Sequence, residues 1–386
     1  GSVYMQRMRM SQKIPIEVFS FFIKPFFHEQ RKDQPINWKE VKNILILDTI
    51  DLLGDMVMLL GFLRILRLNA PAARITVCAR PFTYGVLKNL DLIDDFIGLS
   101  LKDSFAKKKE VLGILNKQLY DLAINPRGDF RDILYMYFVN AQRKISHTRT
   151  GGGFLLTDPL PADYSDPYSH AIEDRIYILD KLGCKYDDID KYPILKLDSK
   201  GQDYVKEYFA SYPLQGKIIV GVHPGASGKV REWLYYGELL KKIQEEYENI
   251  FFVIFSGPGD KVCVDNARRY LQREYIIVNE SIENYIKLVG FCDCFISNDS
   301  GAAHIAAAYG IPTIDIFTNN LICWWGPYNY NDKTICIGKD LPCKPCYRSD
   351  KCKEKTLECN KSISVEEVFT EFADMLNKIK GKNNDV

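Results

Sequence analysis

Residues 298–312, Asn-Asp-Ser-Gly-Ala-Ala-His-Ile-Ala-Ala-Ala-Tyr-Gly-Ile-Pro, concentrate side chains and backbone able to hold an anion. An apolar run, Cys294 to Ser297, precedes them, and a second, Thr313 to Phe317, follows. The pattern predicts a strand, a polar loop and a small-residue helix starting at Ala302. The first turn of a helix leaves backbone N–H groups without intrahelical partners. With Gly301 and Ala302 in that turn, no bulky side chain blocks a phosphate. Asp299 and Ser300 add oxygens suited to sugar hydroxyls, and His304 lies within the same turn, although a lone helical histidine is more often structural. These residues read as a site for a nucleotide-sugar diphosphate.

Four further groups carry chemistry. Gly54-Asp55 opens the first long helix. A carboxylate there can take a hydroxyl proton, but an Asp at a helix start is also a common cap, and the residues alone favour the cap. The segment from His223-Pro224-Gly225-Ala226-Ser227 to Arg231-Glu232-Trp233 is the second. Gly225 and Ser227 can contact phosphate or hydroxyls, and Arg231, with Lys229 as a neighbouring substitute, can neutralise a diphosphate. A solvated surface role is the alternative for both cations. Asp260, after Gly257, can cap the next helix. Finally, Cys343, Cys346, Cys352 and Cys359 are spaced C-x2-C-x5-C-x6-C. Four thiolates can hold structural zinc or iron, although the later gaps are short for a zinc ribbon. Paired thiols without metal, or a disulfide, stay open.

The elements that must position these groups alternate strand and helix from residue 43 onward. Strands are predicted at 44–47, 74–79, 96–99 and 122–124, and again at 218–222, 251–255, 275–278, 294–297 and 313–317. Helices are predicted over Met56 to Leu68, Phe82 to Leu90 and Trp233 to Glu248, with a terminal helix over 364–380 opened by a Ser364/Glu367 capping box. Such alternation implies parallel sheets covered by helices on both faces, with ligands beyond the carboxyl ends of the strands. The pattern restarts after Tyr212-Pro213. The organisation is therefore an aromatic and basic extension (1–40), an N-terminal Rossmann-like domain (41–212) and a C-terminal one (213–386) with a cysteine-rich insertion at 336–361.

A net charge of +1 over 386 residues gives no global field for nucleic acid. Six of the eleven cysteines lie scattered beside apolar residues, as free buried thiols do, and no secretory leader is read, so a cytoplasmic chain is expected. Ile14 to Phe27 carries five phenylalanines with basic residues following. It leaves open a peripheral contact with the inner membrane, although Pro15 and Pro25 shorten any helix and favour packing on the protein.

Taken in order, Gly54-Asp55, Tyr120-Asp121-Leu122-Ala123-Ile124-Asn125, the His223–Trp233 segment, Gly257 and Asp260, Asn298–His304, Trp325-Gly326-Pro327 and the late cysteines resemble glycosyltransferase family 9. These are the bacterial ADP-heptose heptosyltransferases. The resemblance covers about residues 41 to 378. It implies the GT-B fold, two Rossmann-like domains facing a cleft, with acceptor on the N-terminal domain and donor on the C-terminal one. It also implies an inverting transfer of heptose from ADP-heptose that needs no metal, to a lipopolysaccharide, lipooligosaccharide or other surface-glycan acceptor. By the same resemblance Asp55 becomes the general base, and Asp299, Arg231 and Asp260 become donor ligands. A protein hydroxyl as acceptor, with a metal-holding cysteine finger, and a non-catalytic nucleotide-sugar binder are the rival readings. Two departures stand out: Asp48 occupies a position where the family carries Lys or Arg, and Thr318-Asn319-Asn320 lacks its Gly-Pro-Thr pattern.

Overall fold

A computed structural model describes residues 23–24, 27, 29–32, 34–50, 52–161, 169–328, 331–346 and 351–383. Most of the aromatic extension, including Phe19, Phe21, Phe22 and Phe26, lies outside the described residues, and with it the expected membrane contact. The chain divides into two compact units, Gly1–Tyr192 and Pro193–Val386.

The N-terminal unit is a six-stranded parallel sheet in the order β3-β2-β1-β4-β5-β6. Its strands are β1 (Asn43–Asp48), β2 (Arg74–Ala79), β3 (Asp95–Gly98), β4 (Tyr120–Asn125), β5 (Ala141–His147) and β6 (Asp158–Leu160). The helices are α1 (Leu53–Met58), α2 (Leu60–Asn69), α3 (Tyr84–Leu87), α4 (Phe105–Leu115), α5 (Phe130–Tyr137) and α6 (Ala171–Lys181). The apolar run of β1 is buried on both faces, as a central parallel strand requires. The expected single helix from Met56 breaks at Leu59 into α1 and α2.

β5 and β6 carry no apolar run and were not expected. Lys144 is buried within β5, donating to the Tyr137 carbonyl at 2.8 Å and pairing with Glu29. Arg143 Nε reaches Asp158 of β6 at 3.1 Å. Paired charges thus stand where hydrophobic residues would have signalled a strand.

The C-terminal unit repeats the winding in the order β12-β11-β10-β7-β8-β9, also all parallel. Its strands are β7 (Ile218–His223), β8 (Ile250–Phe255), β9 (Tyr275–Val278), β10 (Cys294–Asn298), β11 (Thr313–Phe317) and β12 (Thr334–Gly338). Its helices are α7 (Ser199–Phe209), α8 (Tyr236–Glu246), α9 (Lys261–Arg268), α10 (Ile282–Val289), α11 (Gly301–Ala308), α12 (Ile322–Trp325), α13 (Glu358–Lys361) and α14 (Val365–Asn383). One face is sealed by Trp233, Leu240 and Ile243 against Val368, Phe372 and Leu376 of α14. α14 starts on the Ser364 hydroxyl, which accepts from the Glu367 N–H at 3.2 Å. The Glu367 carboxylate takes Lys339 Nζ at 2.7 Å, so this side chain serves an ion pair.

The unit boundary at Tyr192/Pro193 lies ahead of the Tyr212-Pro213 restart. The reason is α7: Phe209 stacks on Phe291 at 4.4 Å, and the Leu195 N–H reaches the Ala308 carbonyl at 2.9 Å. Both contacts tie the segment to the C-terminal sheet's helices.

Candidate functional site

In the C-terminal unit the site is built on the loop between β10 and α11. Ser300 caps α11, its hydroxyl accepting from the Ala302 N–H at 3.3 Å and lying 3.0 Å from the Ser297 hydroxyl. Gly301 and Ala302 form the first turn, and His304 is buried just behind it. Asp299 is 6% exposed. Its Oδ2 accepts from Asn320 Nδ2 at 2.5 Å and lies 3.8 Å from Arg231 Nη1. Asn320 belongs to the loop that departs from the family pattern, and here it holds the Asp299 side chain.

Asn298 ties the loops together. Its amide donates to the Pro224 carbonyl at 2.7 Å and the Gly225 carbonyl at 3.2 Å. Its oxygen accepts from the Trp233 N–H at 3.1 Å and the Tyr236 hydroxyl at 3.2 Å. A fully buried amide using both ends fixes the His223–Trp233 segment beside α11. Arg231 in turn donates to the Ser227 hydroxyl at 3.2 Å. Ser227 and Lys229 are exposed on this loop.

Asp260 does not cap α9 with its side chain. Its Oδ2 accepts from the Gly257 N–H at 2.7 Å and lies 3.7 Å from His223 Nε2. Burial pulls the His223 imidazole below its ordinary value, against the opposing pull of Asp260, and its Nδ1 meets the Tyr285 hydroxyl at 3.0 Å. Gly225 packs directly on Asp260: a Cβ at residue 225 would sit 2.3 Å from the carboxyl carbon. Only glycine lets the loop close on that acid.

Beneath this loop lies a group that the sequence did not single out. Asp315, on β11, is fully buried, and neither carboxyl oxygen has a hydrogen-bond partner among the described residues. Burial raises it well above the usual carboxylate range, and the charge of Asp299 adds to the rise. Asp315 is therefore pushed toward its neutral form beneath Asp299.

In the N-terminal unit Asp55 lies in the first turn of α1, 8% exposed. Its Oδ2 accepts from the Leu52 N–H at 3.2 Å, so it does serve the helix start. Its Oδ1 takes Arg127 Nη2 at 2.8 Å and Arg175 Nη2 at 3.1 Å. Burial pushes this carboxyl upward, but Arg127 and Arg175 outweigh it and hold Asp55 well below the usual range. Neither arginine stood out in the sequence: Arg127 follows β4 in a Pro-Arg-Gly turn, and Arg175 is one charge on amphipathic α6. Gly128, at φ +71°, completes that turn, where a Cβ would meet His147 Nδ1 at 2.1 Å. Asp48, expected to face an acceptor, is instead fully buried at the end of β1.

The expected zinc or iron site is not formed. Among the described residues no three Cys, His, Asp or Glu side chains converge as a group able to hold a metal ion. All eleven cysteines are free. Cys343, Cys346 and Cys352 lie near enough to Cys359 to act on its thiol electrostatically, but the four do not form such a group. Cys343 is exposed, whereas Cys346 is tied by its N–H to the Asn319 carbonyl at 2.9 Å. Cys352 sits in a turn closed by the Lys355 N–H, and Cys359 is buried on α13, its thiol pushed up to about 11 chiefly by burial. The metal finger, and the disulfide considered beside it, are withdrawn.

Residues 111–357 match the model of glycosyltransferase family 9 (heptosyltransferase), well over half of the chain. A lipooligosaccharide heptosyltransferase 2 of Campylobacter jejuni is 30% identical over 166 residues, 41% of this chain and 51% of that protein. The chain thus spans about half the length of the curated relatives it matches first. A family 9 glycosyltransferase from Veillonella parvula superposes with a TM-score of 0.73 at 19% identity, covering 89% of this chain and 99% of that one. The ADP-heptose LPS heptosyltransferase II of E. coli gives 0.72 at 18% identity, covering 88% and 99%. These two likenesses show the GT-B fold, with its pair of Rossmann-like domains. By the match of the family model across most of its length, this chain belongs to glycosyltransferase family 9.

Proposed function

We propose that this protein transfers a heptose from ADP-heptose to a lipid-linked oligosaccharide, with inversion at the sugar's anomeric carbon. The observation that carries the reading is Asp55, a buried carboxylate kept ionised by Arg127 and Arg175 at a helix start. Binding a nucleotide sugar needs no such base, which weighs against a non-catalytic binder. The relatives' names, a lipooligosaccharide heptosyltransferase and an ADP-heptose LPS heptosyltransferase, supply the donor and acceptor class.

In the proposed reaction an acceptor hydroxyl oxygen attacks the heptose C1. The bond from C1 to the diphosphate oxygen breaks, and ADP leaves with the electron pair. Asp55 takes the hydroxyl proton. So strongly stabilised a carboxylate is a weak base at rest, and it accepts the proton late, when the new C–O bond has made the hydroxyl acidic. The first turn of α11, Arg231 and Lys229 would stabilise the departing diphosphate, with Ser227 as a hydroxyl partner. Asp299 and Asp260 would hold donor hydroxyls, and Gly225 would let the backbone approach the phosphates. His304, behind the first turn, would support that turn.

No helix among the described residues is long and apolar enough to cross a membrane. A nucleotide-sugar donor and a lipid-linked acceptor would support a reaction in the cytoplasm, at the inner face of the membrane. A donor series tests the reading. ADP-heptose, ADP-glucose, UDP-glucose and GDP-mannose are compared by thermal shift and by transfer. The ADP-sugars should stabilise the fold, and only ADP-heptose should turn over; a preference for UDP- or GDP-sugars would sink the assignment.

A further inference from the structure

An apolar cavity of about 730 Å³ opens in the N-terminal unit between α4 and α5. Leu99, Leu101, Leu112, Phe130, Leu134 and Tyr135 wall it. Its inner end is the carboxyl end of β1, where Asp132 accepts from the Thr49 N–H at 3.1 Å and from its hydroxyl at 2.5 Å. Phe105, 82% exposed, and Phe138, 47% exposed, stand among its lining residues. Lys108, Lys109 and Arg131 also line it; with Asp132 in the lining and Asp129 paired to Arg131 at 2.8 Å, an excess of one positive charge is left.

Its volume lies within the range of ligand pockets, whereas protein interiors are otherwise close-packed. Walls of this kind cannot satisfy the hydroxyls of a sugar or nucleotide. They suit a hydrocarbon chain, and the excess of cations suits an anionic group at its end. Position supplies the second argument. The segment after β4 carries Arg127, which holds Asp55, and three residues later Phe130 and Arg131, which line the cavity. A chain lodged here would therefore be linked through one short segment to the proposed base.

We propose that this cavity binds an acyl chain of an anionic lipid, the lipid end of the acceptor. The inference rests on the lipid-linked acceptor reading above and adds the element of the fold that recognises the lipid.

The test titrates full-length protein calorimetrically with dodecyl phosphate below its micelle concentration, with inorganic phosphate and dodecanol as the two partial ligands. Dodecyl phosphate should bind one-to-one, and both partial ligands at least about tenfold more weakly. Leu112→Trp, which fills the cavity from a half-buried position, should weaken binding by about tenfold or more. Lys109→Glu, on the exposed side, should weaken it severalfold. A far-UV circular dichroism spectrum and a urea unfolding midpoint matching the wild type show that each variant is folded. Absence of saturable binding, or equal affinity in wild type and both variants, would overturn the proposal. So would binding that emerges only after removal of residues 1–22, which would make the chain's own segment the occupant. In transfer assays Leu112→Trp should raise KM about tenfold for an acylated acceptor and leave a deacylated one unchanged; equal shifts for both contradict it. If the wild type transfers nothing from ADP-heptose, the function above fails, while the titration still decides the cavity.

Discussion

Asp55 in the N-terminal unit and Asp315 in the C-terminal unit are both buried carboxyls near the end of a strand or the start of a helix. Asp55 has two guanidiniums and a backbone N–H around it and stays charged. Asp315 has no hydrogen-bond partner among the described residues, has Asp299 for an electrostatic neighbour, and is driven toward its neutral form. Burial acts in the same direction on both, so the neighbours decide. The difference matches what each unit is proposed to do. A base must be ionised before the acceptor arrives, whereas a second charge beneath Asp299 would repel the donor's diphosphate.

The sharpest way to break the comparison on the C-terminal side is Asn298→Ala. It removes four hydrogen bonds and leaves the Trp233 N–H and the Pro224 carbonyl buried without their partner. A loss of about 3 kcal/mol is expected, read as a lower urea midpoint at constant slope, together with loss of ADP binding. Stability unchanged within about 0.5 kcal/mol would show that the loops hold without it.

A smaller effect follows from pH. Asp55 is depressed in the folded state, so its contribution is present above the unfolded value of about 3.9 and is lost as pH falls through it. Asp315 is raised, so its contribution is present below that value and is lost as pH rises toward its folded value. The stability of Asp315→Asn relative to wild type should therefore improve between pH 4 and 7 by about 1 kcal/mol or more. A constant difference across that range would mean that Asp315 is ionised in the native protein.

Of similar size in free energy is Gly225→Ala, whose Cβ meets the Asp260 carboxyl. It should displace the loop and weaken ADP about tenfold, roughly 1.4 kcal/mol, with a lesser loss in thermal stability. Equal affinity would remove this loop from the proposed donor site.

Much of this arrangement was legible in the residues. Apolar runs placed the central strands of both sheets, because parallel strands buried on two faces leave that mark. The small-residue helix start at Gly301-Ala302 was visible for the same kind of reason: only certain side chains leave backbone N–H groups open. Strands β5 and β6, at one side of the N-terminal sheet, were hidden because long-range ion pairs, Arg143 with Asp158 and Lys144 with Glu29, stand in for hydrophobic residues. Arg175 was hidden because its partner lies 120 positions earlier in sequence. The cysteine spacing misled, since neighbouring thiols along a chain need not meet in the geometry that a metal ion requires. The burial of Asp48 was not legible either, since a position defined by family pattern carries no information about burial. Asn320 shows the converse, a departure from the pattern that still contributes to the site by holding Asp299.

The central claim is that the N-terminal unit supplies the base and the C-terminal unit holds the leaving nucleotide. Asp55→Asn tests it in one preparation, by measuring heptosyl transfer from ADP-heptose beside the affinity for ADP. The variant keeps the shape of the side chain and removes its capacity to accept the proton. Transfer should fall by about 10²–10⁴-fold while ADP affinity stays within about twofold. Transfer that survives unchanged, or a loss of ADP affinity that matches the loss of transfer, would contradict the division of roles.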